Sequence, residues 1–370
     1  MSDALPPTIK DVAQRAGVHS STVSRALANH PGIPAGTRNR IRTLADEMGY
    51  RINPLTAALM KSRRRRSGGS GEVAVANLGF LVPQHRVHAW RPRSWIYEVY
   101  RGAREQAHDM RYGLDAYWAE DGIANPTAFE RMLRNRGVQG LILAPEHEAP
   151  MPFDLDWDKF GVISLHYGAS QIIPRFNQLV SNHFHSMLEL CRRCRDFGYR
   201  RVGLVLRDHP DTHFEYGRLV LGAFLAGVGE SSQLASIPPL SQTEIDVDQI
   251  ATWARRHRVD AIIQAGGGFS LEFDPPAMVR QLRHNGIPAA AGVGLVIMGH
   301  RPEFNLATID EQTDRLGAMA VRMLVESIQQ NQRGVPAHPI VHQLDARLCD
   351  GDSLPRLTRK KKTPSRSGTA

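Results

Sequence analysis

The segment GVHSSTVSRAL, residues 17–27, gathers four hydroxyl side chains, Ser20, Ser21, Thr22 and Ser24, and the guanidinium of Arg25 just after a glycine. Groups of this kind make hydrogen bonds to base edges and to phosphate oxygens. A guanidinium can fork onto a guanine edge or hold a phosphate, and serines are short enough to let a helix sit deep in a groove. Val23, set among them, must face a core. A plain helical hairpin with a polar face fits the spacing equally well, and the local charge tips the balance. Residues 1–66 hold 12 Lys/Arg against 4 Asp/Glu, and residues 354–370 hold 6 against none. The stretch between them carries 28 against 33, so the attraction to polyanions is concentrated at the amino-terminal head.

Three short helices are expected to position these side chains. Thr8 with Asp11 makes a weak capping box, and Val12, Ala13 and Ala16 recur at helical spacing before Gly17 stops the first helix. A second helix follows with Val23 and Leu27 on one face. The third runs from about Gly36 to Met48, burying Ile41, Leu44, Ala45 and Met48 and ending at Gly49. This is a helix-turn-helix with a supporting helix, a unit that lays the amino end of its second helix in the major groove. Ser20, Ser21 and Arg25 are then the base readers. Thr8, His19, Thr22, Ser24 and Thr37 are assigned to the sugar-phosphate backbone. The following stretch, NPLTAALMKSRRRRSGGSG, reads as a short helix and a basic linker. Arg63 to Arg66 serve equally as a solvated linker or as further phosphate contacts.

From Val73 the pattern becomes alternating strands and helices, in two successive series. Strands are expected at VAVANLGFLV, GLDAYWA, VQGLILAP, GVISLHYG, RRVGLVL, VDAIIQA and IPAAAGV. Helices are expected over 95–110, 126–136, 183–197, 214–226, 248–257, 276–285 and 312–330, followed by a strand-like PIVHQLDARL. The fold class is α/β, with an all-α head and a body of two doubly wound parallel-sheet lobes. The expected domains are the head at 1–52, a hinge and linker at 53–71, the body at 72–353 and a basic tail at 354–370. Within the body, lobe 1 takes about 72–172 and 308–334, and lobe 2 about 173–307 and 335–353. The 3 cysteines are too few for a disulfide scaffold, no apolar run is long enough to span a membrane, and MSDALPPTIKDVAQ lacks a signal-peptide core. A cytoplasmic protein with no membrane partner is the expectation.

The order TIKDVA, AGV, TVSR, GY and NPLTAAL resembles the head of the LacI family of bacterial transcription regulators over about fifty contiguous residues. The resemblance implies a hinge segment that becomes helical on operator DNA. It also implies that Leu59 wedges into a minor-groove base step, with Asn53 beside the backbone; such an apolar wedge kinks the duplex. His19 stands where the family usually has a serine cap, a poorer choice by capping preference, which Ser20 could take over and so leave Ser21 with more of the specificity. Ala28 and Pro34 also depart from the pattern. For the body, the resemblance implies a periplasmic-binding-protein-like fold with a small-molecule effector, carbohydrate-related in class, in the cleft between the lobes. The corresponding grips are Asn182 and Arg218. AGVGLVIMGH lacks the late aspartate of sugar-binding members, so the usual acceptors for a sugar diol are depleted. Trp90 and Trp95 could stack on a ligand ring, although surface or dimer packing is the commoner role of such residues.

Other motifs carry less. Cys191 and Cys194 form a C-x-x-C near His183 and His185, but His183 and Cys194 lie eleven residues apart on one helix, about 16 Å, too far for one tetrahedral ion. AGGGFS at 265–270 lacks phosphate-loop spacing. No catalytic constellation, metal site or cofactor is expected. The reading is a homodimeric, sequence-specific DNA-binding regulator, a repressor whose operator affinity responds to an effector. An effector-independent dimeric regulator is the first alternative, and a solute-binding protein with an incidental basic head the second.

Overall fold

The computed structural model of the chain describes residues 9–27, 32–48, 76–82, 94–144, 155–165, 175–207, 214–266, 274–299 and 302–357. In the head, α1 (Ile9–Ala16), α2 (Ser20–Leu27) and α3 (Ala35–Glu47) enclose a small core of Val12, Ala13, Ala16, Val23, Ala26, Ile41 and Ala45. Leu44 and Met48, expected inside it, pack half-buried at its rim. Gly17 closes α1 at φ +65°, a left-handed turn that lets Val18 N–H reach the Ala13 carbonyl at 3.0 Å. The Arg40 guanidinium of α3 donates to the Ala16 carbonyl at 3.1 Å and so ties α3 to the turn.

The body begins with β1 (Asn77–Val82), α4 (Trp95–Asp109), β2 (Gly113–Trp118), α5 (Ala119–Ala124), α6 (Pro126–Asn135), β3 (Val138–Leu143), β4 (Gly161–Ser164) and β5 (Asn177–Ser181). It continues with α7 (His183–Asp196), β6 (Val202–Arg207), α8 (Phe214–Gly229), β7 (Leu240–Gln242), α9 (Val247–His257), β8 (Ala261–Ala265), α10 (Pro275–His284), β9 (Gly294–Met298) and β10 (Ala307–Asp310). Last come α11 (Thr313–Gln329), β11 (Val341–Leu344) and β12 (Arg347–Cys349). The first sheet, in the order β11-β5-β4-β3-β1-β2, is parallel throughout. The second, β12-β10-β9-β8-β6-β7, is parallel except for β12, which runs antiparallel to β10.

Both sheets are covered on both faces, which is why their strands read as apolar runs rather than alternating ones. In β1, Leu78, Phe80 and Val82 face α4 and α11, while Leu81 joins Phe129, Leu133 and Phe160 on the other side. In the second sheet Leu204 and Ile263 face α7 and α8, and Val205 and Ile262 face α9 and α10. Helices α4 and α11 touch backbone to backbone: a β-carbon on Gly102 would collide with the Asp314 carbonyl, and one on Gly317 with the Val99 carbonyl.

Sheet membership differs from the expected lobe boundaries. β5 belongs to the first sheet, although a boundary near 172 puts it in lobe 2, and β11 also joins the first sheet, although residues after 334 were expected in lobe 2. The connections between lobes therefore fall at Asn182, at Glu311–Gln312 and at Asp345–Ala346. PIVHQLDARL is two strands in different sheets. The strand expected at IPAAAGV lies one segment later, because the chain turns tightly at Pro288–Val293, where three amides bond to the Pro288 carbonyl. The beginning of the expected tail is packed: Leu354 is buried, Tyr199 donates its hydroxyl proton to the Pro355 carbonyl at 2.7 Å, and Leu357 N–H bonds to the Phe197 carbonyl at 2.8 Å. Among the described residues no helix is long and apolar enough to cross a membrane.

Candidate nucleic-acid interface and inter-lobe site

On α2, Val23 and Ala26 are buried while Ser21 and Arg25, one helical turn apart, are exposed on the opposite face. Ser20 and Thr22 are half-buried beside them, Thr37 is half-buried in the first turn of α3, and Ser24 lies within α2. The side chain of Ser24 lies outside the described residues, as do Thr8, Asn53, Leu59, Trp90 and Arg63 to Arg66. His19, exposed and immediately before α2, holds the cap position itself. Its carbonyl accepts from Thr22 N–H at 2.8 Å, and its imidazole Nδ1 accepts from Ser21 N–H at 3.3 Å. The ring nitrogen thus satisfies one of the orphan amides of the first turn, as a serine oxygen would. Nδ1 also lies 2.8 Å from the Ser21 hydroxyl.

The three inter-lobe connections meet in one hydrogen-bonded group. Asn182 caps α7 by accepting from His185 N–H at 3.2 Å, and its side-chain amide donates to Asp345 Oδ1 at 2.9 Å. Its backbone N–H reaches the Leu344 carbonyl at 2.7 Å. Gln312, left-handed at φ 53° and ψ 48°, donates its side-chain amide to the Asp345 carbonyl at 2.7 Å and takes Asp310 Oδ1 on its own N–H at 2.8 Å. A non-glycine residue in this conformation is sparsely populated, and these bonds from two connections hold it there.

Beside them sits Glu311, 5% exposed. Its Oε2 accepts from the Trp95 indole N–H at 3.0 Å and from the Ser181 hydroxyl at 3.4 Å, and lies 3.9 Å from His183 Nε2. Tyr216 packs edge-on against His183, ring centroids 4.9 Å apart. Burial lowers the His183 pKa, against the opposing pull of the Glu311 charge; burial raises that of the Tyr216 phenol, and Glu311 adds to the rise. A carboxylate this deeply placed needs such donors to offset its lost hydration. Of the expected effector residues, Asn182 and Trp95 come to this site, the indole packing half-buried on the core of the first lobe. Arg218 is exposed on α8. Sequence reasoning missed Glu311, Ser181, Gln312 and Asp345; the only trace is a charged pair, Asp310 and Glu311, closing an apolar strand.

Cys191 and Cys194 point into the core of the second lobe with Leu190 and Phe224. Burial pushes the Cys191 thiol up to about 12 and raises that of Cys194 as well, which suits inert packing side chains rather than thiolate ligands. Among the described residues no group of three or more His, Cys, Asp or Glu is placed to hold a metal ion.

Residues 8–53 match the family described as bacterial regulatory proteins, lacI family. The HTH-type transcriptional regulator MalR of Streptococcus pneumoniae is 28% identical over 171 residues, 46% of this chain and 48% of that protein. The chain thus matches about half the length of this relative. In three dimensions, a transcriptional regulator CelR–cellobiose complex superposes with a TM-score of 0.56 at 17% identity, covering 94% of this chain and 99% of that one. A lac repressor dimer bound to operator and the anti-inducer ONPF superposes with a TM-score of 0.53 at 17% identity, covering 95% and 100%. These likenesses establish a shared fold, a helix-turn-helix head followed by two α/β lobes.

Proposed function

We propose, from the premise that residues 8–53 are a head of the lacI family of bacterial regulatory proteins, that the chain is a sequence-specific, double-stranded-DNA-binding transcription regulator acting in the cytoplasm. It is a repressor in this reading, works as a homodimer on a near-palindromic operator, and performs no catalysis. The observation that carries the reading is the exposed Ser21–Arg25 face of α2, held by a capped turn on a formed three-helix core. Two-fold symmetry matches two half-sites, and clustered cations supply affinity through phosphate neutralisation. Leu59 serves as the minor-groove wedge and Asn53 as a backbone contact.

A small-molecule effector between the lobes governs operator affinity. The bonded crossovers support this, since a ligand that favours one spacing of the lobes shifts the equilibrium between head arrangements. Trp95 and Arg218 are the proposed grips. A second reading, an effector-independent regulator, is favoured by one observation: both ends of the Asn182 amide are already engaged, with His185 N–H and Asp345. A calorimetric screen of sugars and metabolites, repeated with operator present, separates the two.

The test of DNA binding is selection of duplexes from a random library by the full chain. An enriched, near-palindromic sequence is expected. Arg25→Ala should weaken binding to it by about 1–3 kcal/mol while binding to random DNA changes less. An equal loss on both would make Arg25 a phosphate anchor. Failure to enrich any duplex would overturn the reading.

A further inference from the structure

We propose that His19 fixes the hydrogen-bond polarity of Ser21, so that this serine reads an exocyclic amine and discriminates adenine or cytosine from guanine or thymine on the strand it faces. The inference rests on the DNA-binding reading above. His19 Nδ1 accepts from the Ser21 backbone N–H at 3.3 Å. A backbone amide can only donate, so Nδ1 carries a lone pair and the ring proton sits on Nε2. The second contact on that same nitrogen, Ser21 Oγ at 2.8 Å, is therefore a hydroxyl donating to it. A serine hydroxyl has one proton, and here it is spent on the imidazole. What Oγ presents outward from the exposed face of α2 is acceptor capacity alone.

In the major groove, adenine offers its N6 amine and cytosine its N4 amine, whereas guanine presents N7 and O6 and thymine presents O4 and a methyl group. An oxygen with no proton to give meets an amine favourably and a keto oxygen unfavourably. A serine that is free to rotate accepts either partner and reads little. The imidazole converts it into a one-way probe. His19 is accordingly a positioning residue: it touches the base only through Ser21.

The experiment is selection from random duplex with the full chain and three variants. Ser21→Ala identifies the operator position that Ser21 reads, as the one whose preference it abolishes. At that position the unaltered chain should favour adenine or cytosine by about tenfold. His19→Phe should flatten that one preference to within about twofold while the other positions keep theirs, which also shows that the head is folded. His19→Asn, whose side-chain oxygen can take both donors, should restore it. A preference for guanine or thymine at that position, a preference unchanged by His19→Phe, or no position altered by Ser21→Ala would overturn the proposal while leaving DNA binding intact. Failure to enrich any duplex would overturn both.

Discussion

Acid should cost the fold stability through His183. Its ring lies between the Glu311 carboxylate, 3.9 Å away, and the Tyr216 phenol, and burial lowers its pKa below the ordinary value of 6.5. The unfolded chain therefore takes up a proton before the native chain does. Stability is fully present above about pH 6.5 and declines as pH falls towards the native pKa, by at most about 1.4 kcal/mol per pH unit for one proton. Urea midpoints between pH 7 and pH 5 should fall less steeply in His183→Phe; identical slopes would show that this ring contributes nothing to the linkage. Legibility at this scale was uneven. Ser21 and Arg25 could be picked out because hydroxyls and a cation recur around Val23 at helical spacing. Glu311 could not, because what makes it matter is Trp95, 216 positions away, and no local pattern encodes that meeting.

Among the elements, the closest packing is between α4 and α11, where Gly102 and Gly317 let two backbones touch. Gly317→Ala should push a methyl into the Val99 carbonyl and, because backbone cannot step aside as a side chain does, destabilise the chain by about 1–3 kcal/mol. Chemical denaturation measures it, with Gly36→Ala, whose site is open in α3, as the control. Most helices and strands followed from continuous apolar runs, helical spacing and capping residues. Asn182, Asp246 and Asp274 each accept an amide at the start of the helix expected there. The failures share a cause. Every residue of AAAGVGLVIM is apolar or small, so periodicity could not decide where the strand begins, and the Pro288 turn did. PIVHQLDARL alternates well enough for one strand, yet Asp345 and Ala346 carry it from one sheet to the other. Which sheet a strand joins is a tertiary property.

For the molecule as a whole, the three crossovers set how the lobes can move. Asp345 takes the Asn182 amide on its exposed carboxylate and the Gln312 amide on its backbone carbonyl, the second bond being part-buried, and each contributes about 1 kcal/mol or less net. Asp345→Ala removes the carboxylate bond alone, and should therefore leave global stability nearly unchanged while amide exchange quickens at Asn182 and His185, at the entry to α7. Equal protection in both proteins would show that the crossovers do not depend on that carboxylate. At the far end of the second lobe, Leu357 docks on Phe197 through its backbone amide. Phe197 lies shortly before β6 and Asn77 opens β1, while the carboxyl ends of β5, β10 and β11 lead into the crossovers. In these parallel sheets Leu357 and Asn77 thus stand at the strand ends away from the crossovers, one on each lobe. A donor dye at Leu357 and an acceptor at Asn77 would work as callipers across both lobes and leave the reading helix unmarked.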